Sequence, residues 1–171
     1  MADHKKRSRK TPAQEPEKLA PDPARNAAGG LYKVDMTASA EAVYVDMYKK
    51  AKVAEKKGDY TSSARTNFSM IRQAVRQIIP HDPVNRAYAL TGALSNMFRV
   101  KKGRYRIMWI ASSKLKSICI LYISETLRKE GDIHDPYRLF AQAVMSGQFN
   151  DIFAKYGVKI PSLKASAVKP Q

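Results

Sequence analysis

The sequence predicts an α+β fold: an N-terminal antiparallel helix pair, an antiparallel β-sheet meander and a closing C-terminal helix. Three observations carry it. Apolar residues recur at three- and four-residue spacing from about Ser39 to Pro80, strand formers flank a single glycine between Phe98 and Ile110, and Ser117 to Ser124 is almost wholly apolar.

The first helix carries Val43, Tyr44, Met47, Tyr48, Ala51 and Ala54 on one face and ends at Lys56-Lys57-Gly58, with cations in the last turn and glycine beyond it. Asp59 or Thr61 is the expected cap of a second helix, whose apolar face is Ala64, Phe68, Ile71, Val75, Ile78 and Ile79 and which Pro80 stops. Short-linked helices of this kind pack antiparallel. Asp82 to Asn96 gives no clear pattern. Phe98 to Ile110 is then a charged hairpin in which Gly103 supplies the positive φ of a tight turn. Alternation sends Tyr105, Ile107 and Trp109 to one face and Arg104, Arg106 and Met108 to the other, so that one face packs while the other presents guanidinium groups. Ser112-Ser113-Lys114 is a second turn, and Ile118 to Ile123 a buried central strand. A helix from Pro136 turns Tyr137, Phe140, Ala141 and Val144 inward, and Phe149, Ile152, Phe153 and Tyr156 suggest one more short helix.

A length of 171 residues suits one domain, expected over residues 31–160. Residues 1–30 hold four of the nine prolines and no periodicity, which predicts a disordered, basic tail; residues 161–171 read as a frayed C-terminal tail. No apolar run approaches the ~20 residues of a membrane helix, and Met1 to Lys10 has no hydrophobic stretch behind it, so neither a membrane partner nor a secretory signal is expected. The single Cys119 gives neither a disulfide framework nor a thiolate metal site. A cytoplasmic protein is expected.

Of the net charge of +16, residues 1–30 hold only +3, from seven Lys/Arg against four Asp/Glu, so +13 belongs to the body. Tyr60 to Ile120 contains eleven basic residues and one acidic, Asp82. Such a concentration points to a polyanionic partner, nucleic acid before an acidic protein or an anionic membrane surface. Five cations fall within eight residues in the hairpin: Arg99, Lys101, Lys102, Arg104 and Arg106. Basic residues on a strand often serve only to discourage edge pairing. Arg106 lies inside the strand between large apolar neighbours, where a charge calls for a purpose, and spaced donors there suit phosphate oxygens. Arg65, Arg72 and Arg76 form a stripe along the second helix that reads as a solvated face or as the extension of a basic groove.

The run Leu90 to Leu94 leading to Phe98-Arg99-Val100-Lys101-Lys102-Gly103-Arg104-Tyr105-Arg106-Ile107 resembles the core signature of the RelE/ParE toxin superfamily. Arg104-Tyr105-Arg106 followed by Thr126-Leu127-Arg128, Gly131, Asp135, Tyr137 and Phe140 is similar to its YhaV branch, over roughly residues 40 to 155. The resemblance implies a RelE-like domain and the toxin of a type II toxin–antitoxin module: an endoribonuclease that cleaves messenger RNA, on or off the ribosome, and is held by an AbrB-like antitoxin. By the same resemblance Arg106 contacts the scissile phosphate, Arg99 and Lys101 are the basic pair of the preceding strand, Arg128 follows the last strand and Tyr137 is the aromatic of the closing helix. Lys102, Arg104, Arg65, Arg72 and Arg76 are the candidate RNA-binding residues. The sequence departs from the branch at Asp132-Ile133-His134, where lysines are expected.

Cleavage without a metal uses the RNA 2′-hydroxyl as nucleophile, and fixed guanidinium groups stabilise the charge on the phosphorane. Arginine stays protonated, so a lysine, Lys101 or Lys102, is the expected base. His134 beside Asp132 and Asp135 reads as a surface residue ahead of a general acid, while Tyr137 suits base stacking or the core equally. There is no Walker loop, paired-carboxylate constellation or His/Cys metal spacing, so no cofactor or metal is expected. Two other readings stand: a non-catalytic nucleic-acid- or ribosome-binding protein using the same sheet, and a toxin acting on a protein, as ParE-like relatives do with gyrase.

Overall fold

The computed structural model describes residues 32–124 and 132–160. The two expected tails and Arg128 lie outside the described residues. The order of elements is β1 (Lys33–Met36), α1 (Ala38–Lys56), α2 (Ser63–Gln73), a π-helical turn (Ala74–Ile78), α3 (Ile79–His81), two short 3-10 turns (Arg86–Tyr88 and Gly92–Leu94), β2 (Phe98–Lys102), β3 (Tyr105–Ser112), β4 (Ser117–Ile123), α4 (Pro136–Met145) and α5 (Asn150–Tyr156).

The expected helix pair, antiparallel meander and C-terminal helices are all present, in a sheet of order β1-β4-β3-β2. β1 is an addition: it pairs parallel with β4, Val34 opposite Ile118 and Met36 opposite Ile120. Four residues with a lysine and an aspartate among them give no strand signal of their own, and the pairing is made with a strand 84 positions away in register. Thr37 ties this edge down. Its hydroxyl accepts from Ala40 N at 3.1 Å, capping α1, and donates to Leu121 O at 2.9 Å.

Two helix details differ from the sequence reading. The cap of α2 is Ser62, whose hydroxyl accepts from Arg65 N at 3.4 Å, in place of Asp59 or Thr61. Pro80 does not stop the helix. It lacks the N–H that would bond Arg76 O, and the preceding turn widens so that Ile79 N–H reaches Ala74 O, five residues back, carrying the helix on to His81.

Both faces of the sheet are packed, where the sequence suggested one covered face and one open face. The first face, Val100, Ile107, Trp109, Ile118, Ile120 and Ile123, is covered by Tyr44 and Met47 of α1 and by Ile71, Val75 and Ile79 of the α2 region. The second, Met108, Ile110, Cys119 and Leu121, is covered by Phe140 and Val144 of α4 and by Phe149, Phe153 and Tyr156 around α5. Trp109 is fully buried; it stacks at 5.9 Å on Phe98 and its Nε1–H donates to Pro83 O at 2.9 Å, which pins the segment after α3 to the sheet. No helix among the described residues is long and apolar enough to cross a membrane.

Burial raises the Cys119 thiol to about 11 and the Tyr156 phenol to about 12. Both groups release their protons more readily in the unfolded chain, so the stability they contribute is complete below their unfolded pKa values and is lost as pH rises through the folded ones. Urea midpoints should therefore fall between about pH 8 and about pH 10.5. The fall should be smaller in Cys119→Ala than in the wild type; equal slopes would show that this thiol does not couple to folding.

Candidate active site

The site follows from strand parity. The two-residue turn Gly103-Arg104 sets Lys102 opposite Tyr105, hence Lys101 opposite Arg106, Val100 opposite Ile107, Arg99 opposite Met108 and Phe98 opposite Trp109. Val100, Ile107, Phe98 and Trp109 belong to the first face, so Arg99, Lys101 and Arg106 share the second face with Met108. Tyr105 joins the first face, as alternation requires.

Arg106 is half-buried at the centre of this group. Its N–H donates to Ser124 Oγ at 2.7 Å and its carbonyl accepts from Ser124 N at 2.9 Å. Both backbone groups therefore face β4, which makes Lys101–Arg106 a non-hydrogen-bonded pair, the kind in which opposing side chains stand closer. The guanidinium folds back on the turn: Nη1 donates to Gly103 O at 3.2 Å and Tyr105 O at 2.9 Å. Nε is buried and has no hydrogen-bond partner among the described residues. One nitrogen of the fork is thus held by the turn carbonyls, while the buried Nε has no acceptor among the described residues.

α4 delivers Tyr137. Asp135 caps the helix, its carboxylate accepting from Tyr137 N at 2.8 Å, and Pro136 at the first helical position has no N–H to satisfy. The Tyr137 ring packs against the second-face core and receives the Arg99 guanidinium at 5.4 Å from its centroid. Tyr122, which pairs with Met108, joins the same face half-buried, its ring 5.9 Å from Phe140. The structure thus assembles Arg99, Lys101, Arg106, Tyr122 and Tyr137 on one surface.

Other sequence candidates lie elsewhere. Lys102 falls on the first-face side, paired with Tyr105, whose hydroxyl accepts from Asn67 Nδ2 at 3.3 Å. Of the two lysines weighed as a base, only Lys101 is on the arginine face. Arg104 is exposed at the turn itself. Arg65, Arg72 and Arg76 ride on α2 and its π-helical turn, the layer that packs on the opposite sheet face, so they do not extend the groove of Arg99 and Arg106. Arg65 is drawn to the α1–α2 turn, donating to Tyr60 O at 3.0 Å and lying 4.9 Å from its ring. His134 is exposed, with its backbone N–H on Asp132 Oδ1 at 2.9 Å. Among the described residues, no three His, Cys, Asp or Glu gather as a metal-ligand group.

A sheet face bearing clustered cations and aromatic rings defines a protein built to meet a polyanion. A family model described as a toxin with endonuclease activity, of a toxin–antitoxin system, matches residues 33–158. The chain belongs to this family, the YhaV toxins. No curated protein matches it. Among solved structures, the RelBE2 toxin–antitoxin complex from Mycobacterium tuberculosis is similar over 57% of this chain and 92% of the matched chain, at 17% identity and a TM-score of 0.40.

Parity separates the two neighbouring lysines experimentally. Lys101→Ala should lower the turnover of nucleic-acid cleavage by about 10²-fold or more, the size of a lost general base, whereas Lys102→Ala should stay within about threefold of wild type. Equal losses in the two variants would show that the reaction does not take place on the second face.

Proposed function

We propose that the protein is a metal-independent endoribonuclease that cleaves messenger RNA in the cytoplasm through attack by the RNA 2′-hydroxyl. The observation that carries this reading is the co-facial set Arg99, Lys101 and Arg106, in which the buried Nε of Arg106 has no hydrogen-bond partner among the described residues. In the proposed reaction the 2′-hydroxyl gives its proton to Lys101 in its neutral amine form and its oxygen bonds to phosphorus. The bond to the 5′-oxygen then breaks and that oxygen takes up a proton from water, leaving a 2′,3′-cyclic phosphate and a 5′-hydroxyl. Arg106 and Arg99 neutralise the charge that develops on the non-bridging oxygens. Lys101 is the one cation of the three able to release its proton, since guanidinium groups stay charged. Tyr137, backed by Arg99, offers a ring for an unstacked base. The two guanidinium groups, joined by the Lys101 ammonium once it has taken the proton, supply the charge compensation that a divalent metal supplies in other nucleases.

The partner side of the proposal is an antitoxin, AbrB-like by the sequence resemblance, that lays an acidic or mixed segment over Arg99 to Arg106. The +13 of the body favours fast association with such a segment.

Incubation of the purified protein with RNA in EDTA, followed by end-group analysis, tests the reading. Cleavage should persist, leave cyclic-phosphate ends, and fail where the 2′-hydroxyl is replaced by hydrogen or O-methyl. Arg106→Ala should lower turnover by about 10²-fold with folding intact. Arg106→Lys should be nearly as impaired, because an ammonium cannot reproduce the planar fork. A strict Mg²⁺ requirement with 5′-phosphate products would overturn the mechanism.

A further inference from the structure

Ile107 and Ile123 are the last regular pair between β3 and β4, and Arg106 and Ser124 come next in register. In a hydrogen-bonded antiparallel pair the two residues exchange both bonds through their backbones. Here one of the two is exchanged differently. Ser124 N donates to Arg106 O at 2.9 Å, but Arg106 N donates to the Ser124 hydroxyl, at 2.7 Å, in place of the Ser124 carbonyl. β4 ends at Ile123, and at Ser124 the carbonyl leaves the ladder while the N–H and the side-chain hydroxyl stay in it. Ser124 is fully buried.

Arg106 consequently takes both of its backbone hydrogen bonds from this one residue. Its guanidinium is tied in turn to Gly103 O and Tyr105 O through Nη1. The direction of the buried, unpartnered Nε is set by these two anchorages, the turn at one end and Ser124 at the other. We propose that Ser124 is a positioning residue that fixes the Arg106 guanidinium against the scissile phosphate; this rests on the reading of Arg106 given above. Alanine at this position removes the acceptor of the Arg106 N–H at a part-buried site, and the strand shifts to find another. A shift of a fraction of an ångström at Cα is amplified along the arginine side chain, and catalytic alignment is sensitive to displacements of that size.

A double-mutant cycle on RNA cleavage tests this. Ser124→Ala should lower turnover by about tenfold with KM within about threefold, and should cause no further loss in an Arg106→Ala background. The same tenfold loss in both backgrounds, or no loss in the wild-type background, overturns the proposal while leaving the endonuclease reading intact. Full turnover in Arg106→Ala alone overturns both the proposal and the reading of Arg106 as the phosphate contact. Amide hydrogen exchange on the unmodified protein decides the matter should Ser124→Ala fail to fold: the Arg106 amide should be strongly protected, and exchange as fast as that of Arg104 in the turn shows that the clamp does not exist.

Discussion

The arrangement depends on one constraint, the register of the β2–β3 hairpin. A two-residue turn fixes which residue opposes which, and a slip of one position sends every side chain of a strand to the other face. Gly103 makes that turn with φ of +55°. A Cβ there would also meet Met70 Cε at 3.2 Å, so α2 closes against the turn as tightly as glycine allows. Parity then sorts five cations that are mixed in sequence into a co-facial group, Arg99, Lys101 and Arg106, a residue on the far side, Lys102, and one at the turn itself, Arg104.

That sorting is electrostatically unfavourable by itself. Like charges directly opposite each other in a sheet destabilise it, and Lys101 sits opposite Arg106. The opposing face offsets this with apolar pairs, Val100 with Ile107 and Phe98 with Trp109, buried under α1 and α2. Arg99 lies over the Tyr137 ring and Arg106 Nη1 on two carbonyls, so among the described residues each guanidinium is oriented without an ion pair to a carboxylate. Among the described residues, the ion pairs Lys33–Asp35, Lys50–Asp46 and Lys52–Glu55 lie in β1 and α1, away from the hairpin. Such a concentration of positive charge on a packed sheet suits a polyanionic partner, as proposed above.

Much of this was legible in the sequence. The helix pair, the hairpin, the central strand and the helix from Pro136 follow from periods of 3.6 and 2 and from caps, and the family resemblance read at Phe98 to Ile107 extends over residues 33–158. The parity of Arg106 and Trp109 was legible too, because nothing interrupts β3 between them. Three features were not. β1 is defined by its partner and carries no pattern of its own. The α2 arginines align with the basic hairpin in composition, and only the layer order shows the sheet between them. Tyr122 and Ser124 were hidden by a bulge: the β3–β4 register shifts between Met108 and Trp109, so Leu121 and Tyr122 both face the second core and strict alternation misplaces everything after them. A buried serine at a strand end, following an apolar run and two residues after a tyrosine, gives no signal that separates a clamp from a cap.

The central claim is that substrate meets the second face of the sheet, between the hairpin and α4. Titrating the isotopically labelled protein with an uncleavable 2′-O-methyl RNA and mapping the backbone and arginine side-chain NMR shifts tests it most directly. The account predicts that the largest changes fall on Arg99, Lys101, Arg106, Tyr122 and Tyr137, with the Arg106 Nε–H among them. Changes centred on Arg65, Arg72, Arg76 and Lys102, with the Arg106 Nε–H unmoved, would contradict it.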